Sequence, residues 1–314
     1  MAAALSLAER GVGRTGNNPS VGCVIVKNDI VIGRGWTQSG GRPHAEAVAL
    51  AQAGAAARGS TVYVTLEPCA HVSQRGPACA QLLKEAAPAR VIVALQDPDA
   101  RTAGEGMATL KASGIEVMAG VMASEARQNL AGFLSRMSRG RPFVTLKIAS
   151  TLDGQIAMAD GSSRWITGEI ARAHSHVERA RSDAILVGAG TVRADAPQLT
   201  VRLAGLETMQ PRKVMLGSGE APEGWEVIRA PSEIAHLDCN TLFVEGGTAT
   251  ATAFLREGLV DRLMLYRAPI LIGAGKACLS DIGLTQLGDA HGRWQISGSR
   301  SLGKDRLEVY ESAQ

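Results

Sequence analysis

A histidine, a glutamate and two cysteines have types and spacings that suit a catalytic metal site. His44 and Glu46 stand at the start of an alanine-rich segment, Cys69 follows 25 residues after His44, and Cys79 comes after nine more intervening residues. One imidazole and two thiolates make a set of three zinc ligands with a fourth position open, which is typical of catalytic zinc. We expect the zinc to lower the pKa of a bound water and Glu46 to carry a proton from that water to a leaving amine.

His-x-Glu followed by Pro-Cys and a further Cys is the signature of zinc-dependent nucleobase deaminases. The signature has two residues between its cysteines, whereas this chain has nine, and the longer insert carries His71, which we predict contacts the substrate. Upstream, "NNPSVGCVIV" resembles the superfamily segment that presents an asparagine to the substrate, so Asn18 is a candidate. A turn residue before Pro19 is the alternative interpretation of Asn18 and stays open.

The first 120 residues alternate helical and strand-like runs, which predicts a helix–sheet–helix layered domain. "GCVIVKNDIVIGRGW" is typical of a hairpin that turns at Asn28 and Asp29. Pro43 suits the first turn of the alanine-rich helix. "ASEARQNLAGFLSRMSRGRP" indicates a polar helix that ends at Gly140. We therefore place a deaminase domain at residues 1–141 and a second domain at 142–314.

Composition excludes several classes of protein. The net charge is only +3, and no basic run indicates nucleic-acid binding. A membrane span would need an apolar run of about 20 residues, and the sequence has none. The first residues also lack the features of a signal peptide. Five cysteines without an export signal favour a reducing, cytoplasmic location, and Cys23, Cys239 and Cys278 are expected to be ordinary core residues.

The second half has short apolar runs at α/β spacing, but it lacks a dinucleotide fingerprint. "GAGTVR" and "GAGKAC" both lack the third glycine of that motif. "VEGG" places Gly246 and Gly247 after a strand, where a backbone without side chains can approach a pyrophosphate; a plain turn is the alternative. Glu245 would lie at the carboxyl edge of the sheet, where ligands bind.

Motifs from both halves resemble one family, the bifunctional riboflavin-biosynthesis deaminase–reductases called RibD. They are "NNPSVGCVIV", "PHAE", "EPCAHVSQRGPAC", "LQDPD", "RPFVTLKIASTLDGQIAM", "SRWITG", "SDAILVGAGTVRADAPQLTVR", "LFVEGG" and "LVDRLMLYRAPILIGAG". The resemblance implies a cytidine-deaminase-like three-layer α/β/α domain followed by a dihydrofolate-reductase-like α/β domain. It also implies one Zn²⁺ in the first domain, NADPH in the second, and a homo-oligomer.

The implied activities are deamination of 2,5-diamino-6-ribosylamino-4(3H)-pyrimidinone 5′-phosphate and NADPH-dependent reduction of its ribosyl side chain to ribityl. The residues that match the family's cofactor positions are Ala149, Trp165, Thr191, Asp195, Gly246 and Gly247. Those that match substrate positions are Ser163, Arg179, Leu199, Arg202 and Glu245, and Lys147 and Asp153 are expected to shape the same pocket. Trp165 has an alternative interpretation as an ordinary core aromatic.

One segment departs from the family pattern. The insert after Cys69, "AHVSQRGPA", is one residue longer than expected and has Val72 in place of a second histidine, which leaves any substrate contact from Ser73 to Arg75 open.

Two other functions compete with this interpretation. A single-activity zinc nucleobase deaminase with an accessory C-terminal domain would have a short Cys-x-x-Cys motif, or a basic patch for tRNA. A zinc-stabilised scaffold protein would lack Glu46 or have a broken "EGG". The sequence shows none of these features.

Overall fold

The computed structural model describes residues 1–71 and 76–313. The chain forms two compact units, Met1–Gly140 and Arg141–Gln314. Among the described residues, no helix is long and apolar enough to cross a membrane.

The first unit has a five-stranded sheet in the order β2-β1-β3-β4-β5. β1 is antiparallel to β2 and β3, and β3, β4 and β5 run parallel. Its elements are α1 (Ala2–Ala8), β1 (Gly22–Lys27), β2 (Ile30–Trp36), α2 (Ala45–Ala53), β3 (Thr61–Val64), α3 (Cys79–Ala86), β4 (Arg90–Val93), α4 (Glu105–Ala112), β5 (Glu116–Ala119), α5 (Ala123–Asn129) and α6 (Ala131–Arg139).

Helices cover both faces of this sheet. Cys23 and Ile25 on β1 belong to a core cluster that includes Ala45 of α2. Val24, which points to the opposite face, packs instead with Ala4 of α1. This alternation produces the predicted three layers.

Small residues bring α2 close to the sheet. Ala45 and Ala49 on α2 are fully buried, and they lie over glycines of β2. A Cβ at Gly35 would lie 2.1 Å from the carbonyl oxygen of Ala45, and a Cβ at Gly33 would lie 2.3 Å from that of Ala49. The small alanine and glycine residues therefore set the distance between β2 and α2, the helix that begins after His44.

Two local expectations differ from the structure. Pro43 does not occupy the first turn of α2: His44 is extended (φ −72°, ψ 161°) and caps the helix, so the helix begins at Ala45. The predicted polar helix is divided into α5 and α6 at Leu130, which is buried in the core. The hairpin prediction is confirmed, with Asn28 and Asp29 both at positive φ between β1 and β2.

The second unit has an eight-stranded sheet in the order β10-β9-β8-β11-β6-β12-β15-β14. All pairs from β10 to β12 are parallel, and β15 and β14 add antiparallel pairs. Its elements are β6 (Phe143–Ser150), β7 (Gln155–Met158), α7 (Glu169–Ala180), β8 (Ala184–Gly188), α8 (Ala189–Asp195), β9 (Arg212–Leu216), β10 (Glu226–Ile228), β11 (Thr241–Val244), α9 (Thr248–Arg256), β12 (Arg262–Arg267), β13 (Gly275–Ala277), β14 (Trp294–Leu302) and β15 (Asp305–Ser312).

Because six of these strands are parallel, their carboxyl ends share one edge of the sheet. Glu245 and Gly246 follow β11 at this edge, and α8 follows β8 directly. Ligands of open α/β sheets bind outside the carboxyl ends of the strands, so this edge is where a site is expected.

Candidate active sites

In the first unit, three side chains that could serve as metal ligands converge. The His44 Nδ1 atom lies 3.2 Å from the Cys79 Sγ atom and 3.6 Å from the Cys69 Sγ atom. The three donor atoms all lie within 4.8 Å of one another. One nitrogen and two sulfurs at this separation fit a tetrahedral zinc ion with one position left for another ligand.

Glu67, two residues before Cys69, anchors the loop that carries Cys69 to a distant part of the chain. The Glu67 carboxylate accepts hydrogen bonds from the backbone N–H groups of Asp97, Gly104 and Met107, at 3.2, 3.0 and 3.0 Å. Gly106 on α4 lets this helix approach, since a Cβ there would lie 2.0 Å from the Pro68 carbonyl oxygen. Glu67 thus fixes the position of Cys69 from two residues away.

The surroundings of the two thiols favour one thiolate. Cys79 is the first residue of α3, and its backbone N–H donates to the Cys69 Sγ atom at 3.3 Å. The pKa of Cys69 is lowered, because the Cys79 thiol and His44 donate to its sulfur, and the pKa of Cys79 is raised by the same pairing. A sulfur at a helix N-terminus is a stabilised anion, which suits a metal ligand.

Glu46 lies beside these ligands and is only 3% exposed. Burial raises its pKa, and its carboxyl group is hydrogen-bonded to Cys79. It projects from the first turn of α2, two residues after His44. The structure therefore places an acid–base group against the metal-ligand cluster.

Of the two predicted substrate contacts of this unit, Asn18 precedes the cluster in sequence and His71 lies between Cys69 and Cys79. Asn18 packs against Gly41, where a Cβ would lie 2.1 Å from the Asn18 Nδ2 atom, and Nδ2 donates to the Thr15 carbonyl oxygen at 3.1 Å. Asn18 therefore stabilises a turn through its own side chain. The same side chain packs against the segment that precedes His44. The His71 Nδ1 atom lies 3.4 Å from the Thr102 hydroxyl. Val72 and the open contacts from Ser73 to Arg75 lie outside the described residues.

Sequence reasoning missed two buried acids, Glu67 and Asp97. Burial raises the pKa of Asp97 to about 6. Both acids lie in the quoted motifs "EPCAHVSQRGPAC" and "LQDPD", a few residues after the neighbouring strands β3 and β4, and that placement was the available signal.

In the second unit, a cavity of about 400 Å³ opens at the carboxyl edge of the sheet. Nine of the predicted residues line it: Lys147, Ala149, Ser163, Trp165, Arg179, Asp195, Arg202, Glu245 and Gly246. Trp165 is 66% exposed, so its interpretation as a core aromatic is wrong.

A paired carboxylate forms one wall of this cavity. The Arg179 Nε and Nη2 atoms donate to Glu245 Oε1 and Oε2 at 2.6 and 2.9 Å, and the Lys147 Nζ atom lies 3.9 Å from Oε2. Burial alone would raise the pKa of Glu245, but the Lys147 and Arg179 charges outweigh burial and lower it. Glu245 is therefore an anion that the cavity holds in one orientation.

Four predicted residues lie off the cavity wall. Leu199 is 4% exposed and packs in the core cluster. Asp153 accepts hydrogen bonds from the backbone N–H groups of Ile272 and Gly273, so it orders a loop instead. Thr191 lies on α8, and Gly247 caps α9.

The two glycines of "EGG" differ in their surroundings. A Cβ at Gly246 would lie 2.4 Å from the Thr250 Cβ atom, so this glycine is required by packing within the fold. Gly188, at the end of β8, faces the same residue, since a Cβ there would lie 2.4 Å from Thr250 Oγ1. At Gly247 nothing lies within 4 Å, which leaves the backbone open to a ligand such as a pyrophosphate.

Several cavity residues were missed by sequence reasoning. They are Arg172, Ser175 and His176 on α7, together with Tyr266 and Cys278. With Arg179, the α7 residues recur every three or four positions, so the polar face of the helix was a usable signal. The expectation that Cys278 is a core residue is wrong, because it is only half-buried and lines the cavity.

Behind the cavity wall, Tyr266 contacts His174, which in turn contacts Arg300. Its hydroxyl lies 2.7 Å from His174 Nδ1, and Arg300 contacts the His174 Nε2 atom. Because a guanidinium only donates, Nε2 accepts and the proton of the neutral ring is on Nδ1. Burial and the charges of Arg300 and Arg181 lower the pKa of His174 to about 4.

Two family models match the chain. The model described as the cytidine and deoxycytidylate deaminase zinc-binding region matches residues 1–95, and the RibD C-terminal domain matches residues 142–307. The chain thus joins a zinc-type deaminase domain to a reductase domain, which confirms the predicted fold class.

Relatives extend the match over nearly the whole chain. Riboflavin biosynthesis protein RibD of Escherichia coli K12 is 39% identical over 97% of this chain and 96% of its own length. The protein of the same name from Haemophilus influenzae is 40% identical, over 99% and 96%. The structure of Acinetobacter baumannii RibD matches with a TM-score of 0.90 at 37% identity, over 99% and 97% of the two chains. The chain belongs to the RibD family, the bifunctional deaminase–reductases of riboflavin biosynthesis.

Proposed function

We propose that the two units carry out successive reactions on one phosphorylated pyrimidine. The first removes the 2-amino group of 2,5-diamino-6-ribosylamino-4(3H)-pyrimidinone 5′-phosphate as ammonia. The second uses NADPH to reduce the ribosyl side chain, which gives 5-amino-6-ribitylaminouracil 5′-phosphate. A solved Thermotoga maritima structure, with a TM-score of 0.87 at 31% identity over 98% of this chain and 96% of that one, is that of a diaminohydroxyphosphoribosylaminopyrimidine deaminase and 5-amino-6-(5-phosphoribosylamino)uracil reductase.

The deaminase proposal rests on His44, Cys69 and Cys79 as the ligands of one Zn²⁺. When bound, zinc supplies the Lewis acidity that activates a water at neutral pH. Glu46 takes the proton of the attacking water at a carboxylate oxygen and delivers it to the departing amino group. The contact between Glu46 and Cys79 keeps this carboxyl group against the reacting centre.

The reductase proposal rests on the cavity at the carboxyl edge. When bound, NADPH supplies the hydride for C1′ of the ribosyl group. The oxygen that leaves C1′ needs a proton, and Lys147 Nζ is the ammonium that faces the cavity beside Glu245. The Arg179–Glu245 pair holds the carboxylate so that it can accept hydrogen bonds from the sugar hydroxyls.

The cofactor has a place along the same edge. Trp165 offers an exposed ring at the cavity, and the open backbone at Gly247 begins α9, where a pyrophosphate is favoured. Ala149, Thr191 and Asp195 would complete the NADPH contacts, and Ser163, Leu199 and Arg202 those of the substrate. The homo-oligomer and the cytoplasmic location remain predictions.

The observation that carries the proposal is the cluster of three metal donors with a buried glutamate beside them. A coupled assay tests it: ammonia release and NADPH oxidation are followed separately, together with the zinc content. We expect about one zinc per chain, with ammonia released before NADPH is consumed. Ammonia release without NADPH oxidation would leave the single-activity deaminase as the remaining function, and no ammonia release would overturn the proposal.

A further inference from the structure

One irregular segment of the second unit brings Arg202 to the cavity. Residues 198–202 lie between α8 and β9 and belong to no helix or strand. Leu199 and Val201 are buried, whereas Arg202 is exposed and lines the cavity. The position of the Arg202 guanidinium group therefore depends on what holds this segment in place.

Side chains, and not a neighbouring strand, hold the backbone of this segment. The His176 Nδ1 atom accepts a hydrogen bond from the Arg202 backbone N–H at 3.2 Å. Gln210 binds both backbone groups of Val201: its Oε1 atom accepts from the N–H at 2.9 Å, and its Nε2 atom donates to the carbonyl oxygen at 3.0 Å. In the described part of the chain, no backbone-to-backbone hydrogen bond reaches residues 199–202.

The surroundings of His176 keep its ring a neutral acceptor. A backbone N–H can only donate, so Nδ1 carries the lone pair and the proton of the neutral ring is on Nε2. Burial lowers the pKa of His176, and the charges of Arg179 and Arg202 lower it further. Glu245 and the Thr200 carbonyl oxygen oppose this shift but do not outweigh it. The Nδ1 atom is therefore available to hold Arg202 at neutral pH.

Arg202 differs from the other cations that line the cavity. Lys147 and Arg179 face the Glu245 carboxylate, and Arg172 lies over an aromatic ring, 4.7 Å from its centroid. Among the described residues Arg202 pairs with no carboxylate, and its Nη1 atom contacts two neutral side-chain oxygens, at 3.1 and 3.4 Å. A guanidinium group without an acidic partner favours a phosphate, which it can bind through paired hydrogen bonds.

We propose that His176 is a positioning residue of the reductase unit. By holding the Arg202 backbone, it keeps the Arg202 guanidinium group at the cavity, where this group binds the 5′-phosphate of the pyrimidine substrate. Gln210, which lies outside the cavity wall, contributes to the same task through Val201. The inference rests on the proposed reductase function and adds to it a residue that acts through Arg202.

Asparagine and leucine at position 176 make a matched pair of variants, because they have nearly the same size and only asparagine has an acceptor at the place of Nδ1. The full chain is assayed with NADPH and the deaminated intermediate. We expect His176→Leu to raise the KM for the intermediate about tenfold, the loss expected for a hydrogen bond to a charged group. The kcat and the KM for NADPH should stay native, and His176→Asn should restore the KM. His236→Asn, at an exposed histidine, is the control.

Two further measurements test the route through Arg202. With the intermediate lacking its phosphate, His176→Leu should have the same kcat/KM as the native chain, because the contact that it weakens is to the phosphate. Gln210→Met should raise the KM for the phosphorylated intermediate as His176→Leu does. This second variant tests the role of the segment even if His176→Leu does not fold.

The outcomes separate this inference from the function beneath it. Native KM values in both His176→Leu and Gln210→Met would overturn the positioning role, and equal losses in His176→Leu and His176→Asn would show that the ring only packs. A lower kcat at native KM would mean that His176 acts on the reacting atoms instead. Equal losses with and without the phosphate would refute the phosphate contact. No NADPH oxidation by the native chain would overturn the reductase proposal and this inference with it.

Discussion

Gly35 lies so close to Ala45 that a Cβ atom on Gly35 would be only 2.1 Å from the Ala45 carbonyl oxygen. Ala45 is the first residue of α2, so this contact sets the position of His44 before it and of Glu46 after it. The absence of a side chain on the neighbouring strand therefore positions both the proposed metal ligand His44 and the proposed acid–base group Glu46.

Gly35→Ala should damage the deaminase unit selectively. The added methyl group must push α2 away from β2, and overpacking of this kind costs about 1–3 kcal/mol. We expect lower zinc content and slower ammonia release, with unchanged NADPH oxidation when the deaminated intermediate is supplied, all measured on the purified full chain. Gly288→Ala is the control, since nothing lies within 4 Å of that position. Full zinc content and native ammonia release in Gly35→Ala would contradict the argument.

Glu46→Gln should separate metal binding from proton transfer. The amide keeps the size of the side chain but cannot carry the proton, so ammonia release should fall by about 10²–10⁴-fold. Zinc content should remain native, and so should NADPH oxidation when the deaminated intermediate is supplied directly. Glu105→Gln, at an exposed acid in the first turn of α4, serves as the matched control. Near-native deamination by Glu46→Gln would rule out this acid–base role.

Arg179→Met should destabilise the reductase unit, because it leaves the buried Glu245 carboxylate with only the more distant Lys147 Nζ atom, at 3.9 Å, and the Ser175 hydroxyl, at 3.5 Å, beside it. Loss of one partner from a buried pair costs about 3 kcal/mol, and adding Glu245→Gln should recover part of it. Calorimetric unfolding of the full chain measures both effects. The exposed pair of Arg212 and Glu226 is the control: Arg212→Met should cost less than about 1 kcal/mol. Equal costs for the two arginines would show that the Glu245 pair contributes no more than a surface pair.

His174 should remain neutral at acidic pH. Its pKa is lowered to about 4, because burial and the charges of Arg300 and Arg181 outweigh the Glu178 carboxylate that lies 3.7 Å from the Nε2 atom. NMR titration of the six histidines, with His174→Gln to assign its signals, should show an Nδ1-protonated ring that does not titrate above pH 5.

The same shift has a consequence for stability. In the unfolded chain His174 binds a proton near pH 6.5, whereas in the folded chain it does so only near pH 4. Because the unfolded state binds more protons between these values, the free energy of unfolding falls as the pH falls from about 6.5 toward 4. His174→Gln should flatten this part of the profile. Titration of His174 near pH 6.5 would contradict the lowering of its pKa by burial and by the charges of Arg300 and Arg181.

Some elements could be predicted because local chemistry determines them. The hairpin at Asn28 and Asp29 depends on two residues that tolerate positive φ. The types and order of His44, Cys69 and Cys79 indicate zinc whatever the exact loop geometry.

Other elements depend on distant partners. The β14–β15 hairpin was missed because "WQISGSRSL" is largely exposed, so it shows no apolar alternation, and its pairing with β12 is long-range. The contacts of His174 with Tyr266 and Arg300 join α7 to β12 and β14, and no spacing along the chain reveals such a group.

Alanine substitutions at Gly188 and at Gly246 would both clash with Thr250, but with different atoms of its side chain. At position 188 the nearest obstacle is the Thr250 hydroxyl, 2.4 Å from a new Cβ, while the Thr250 Cβ atom is 3.7 Å away. At position 246 the obstacle at 2.4 Å is the Thr250 Cβ atom itself. Alanine at 250 therefore makes room for a methyl group at 188 but not at 246. Epistasis between 188 and 250 should be strong, and Gly246 should be irreplaceable whichever side chain occupies position 250.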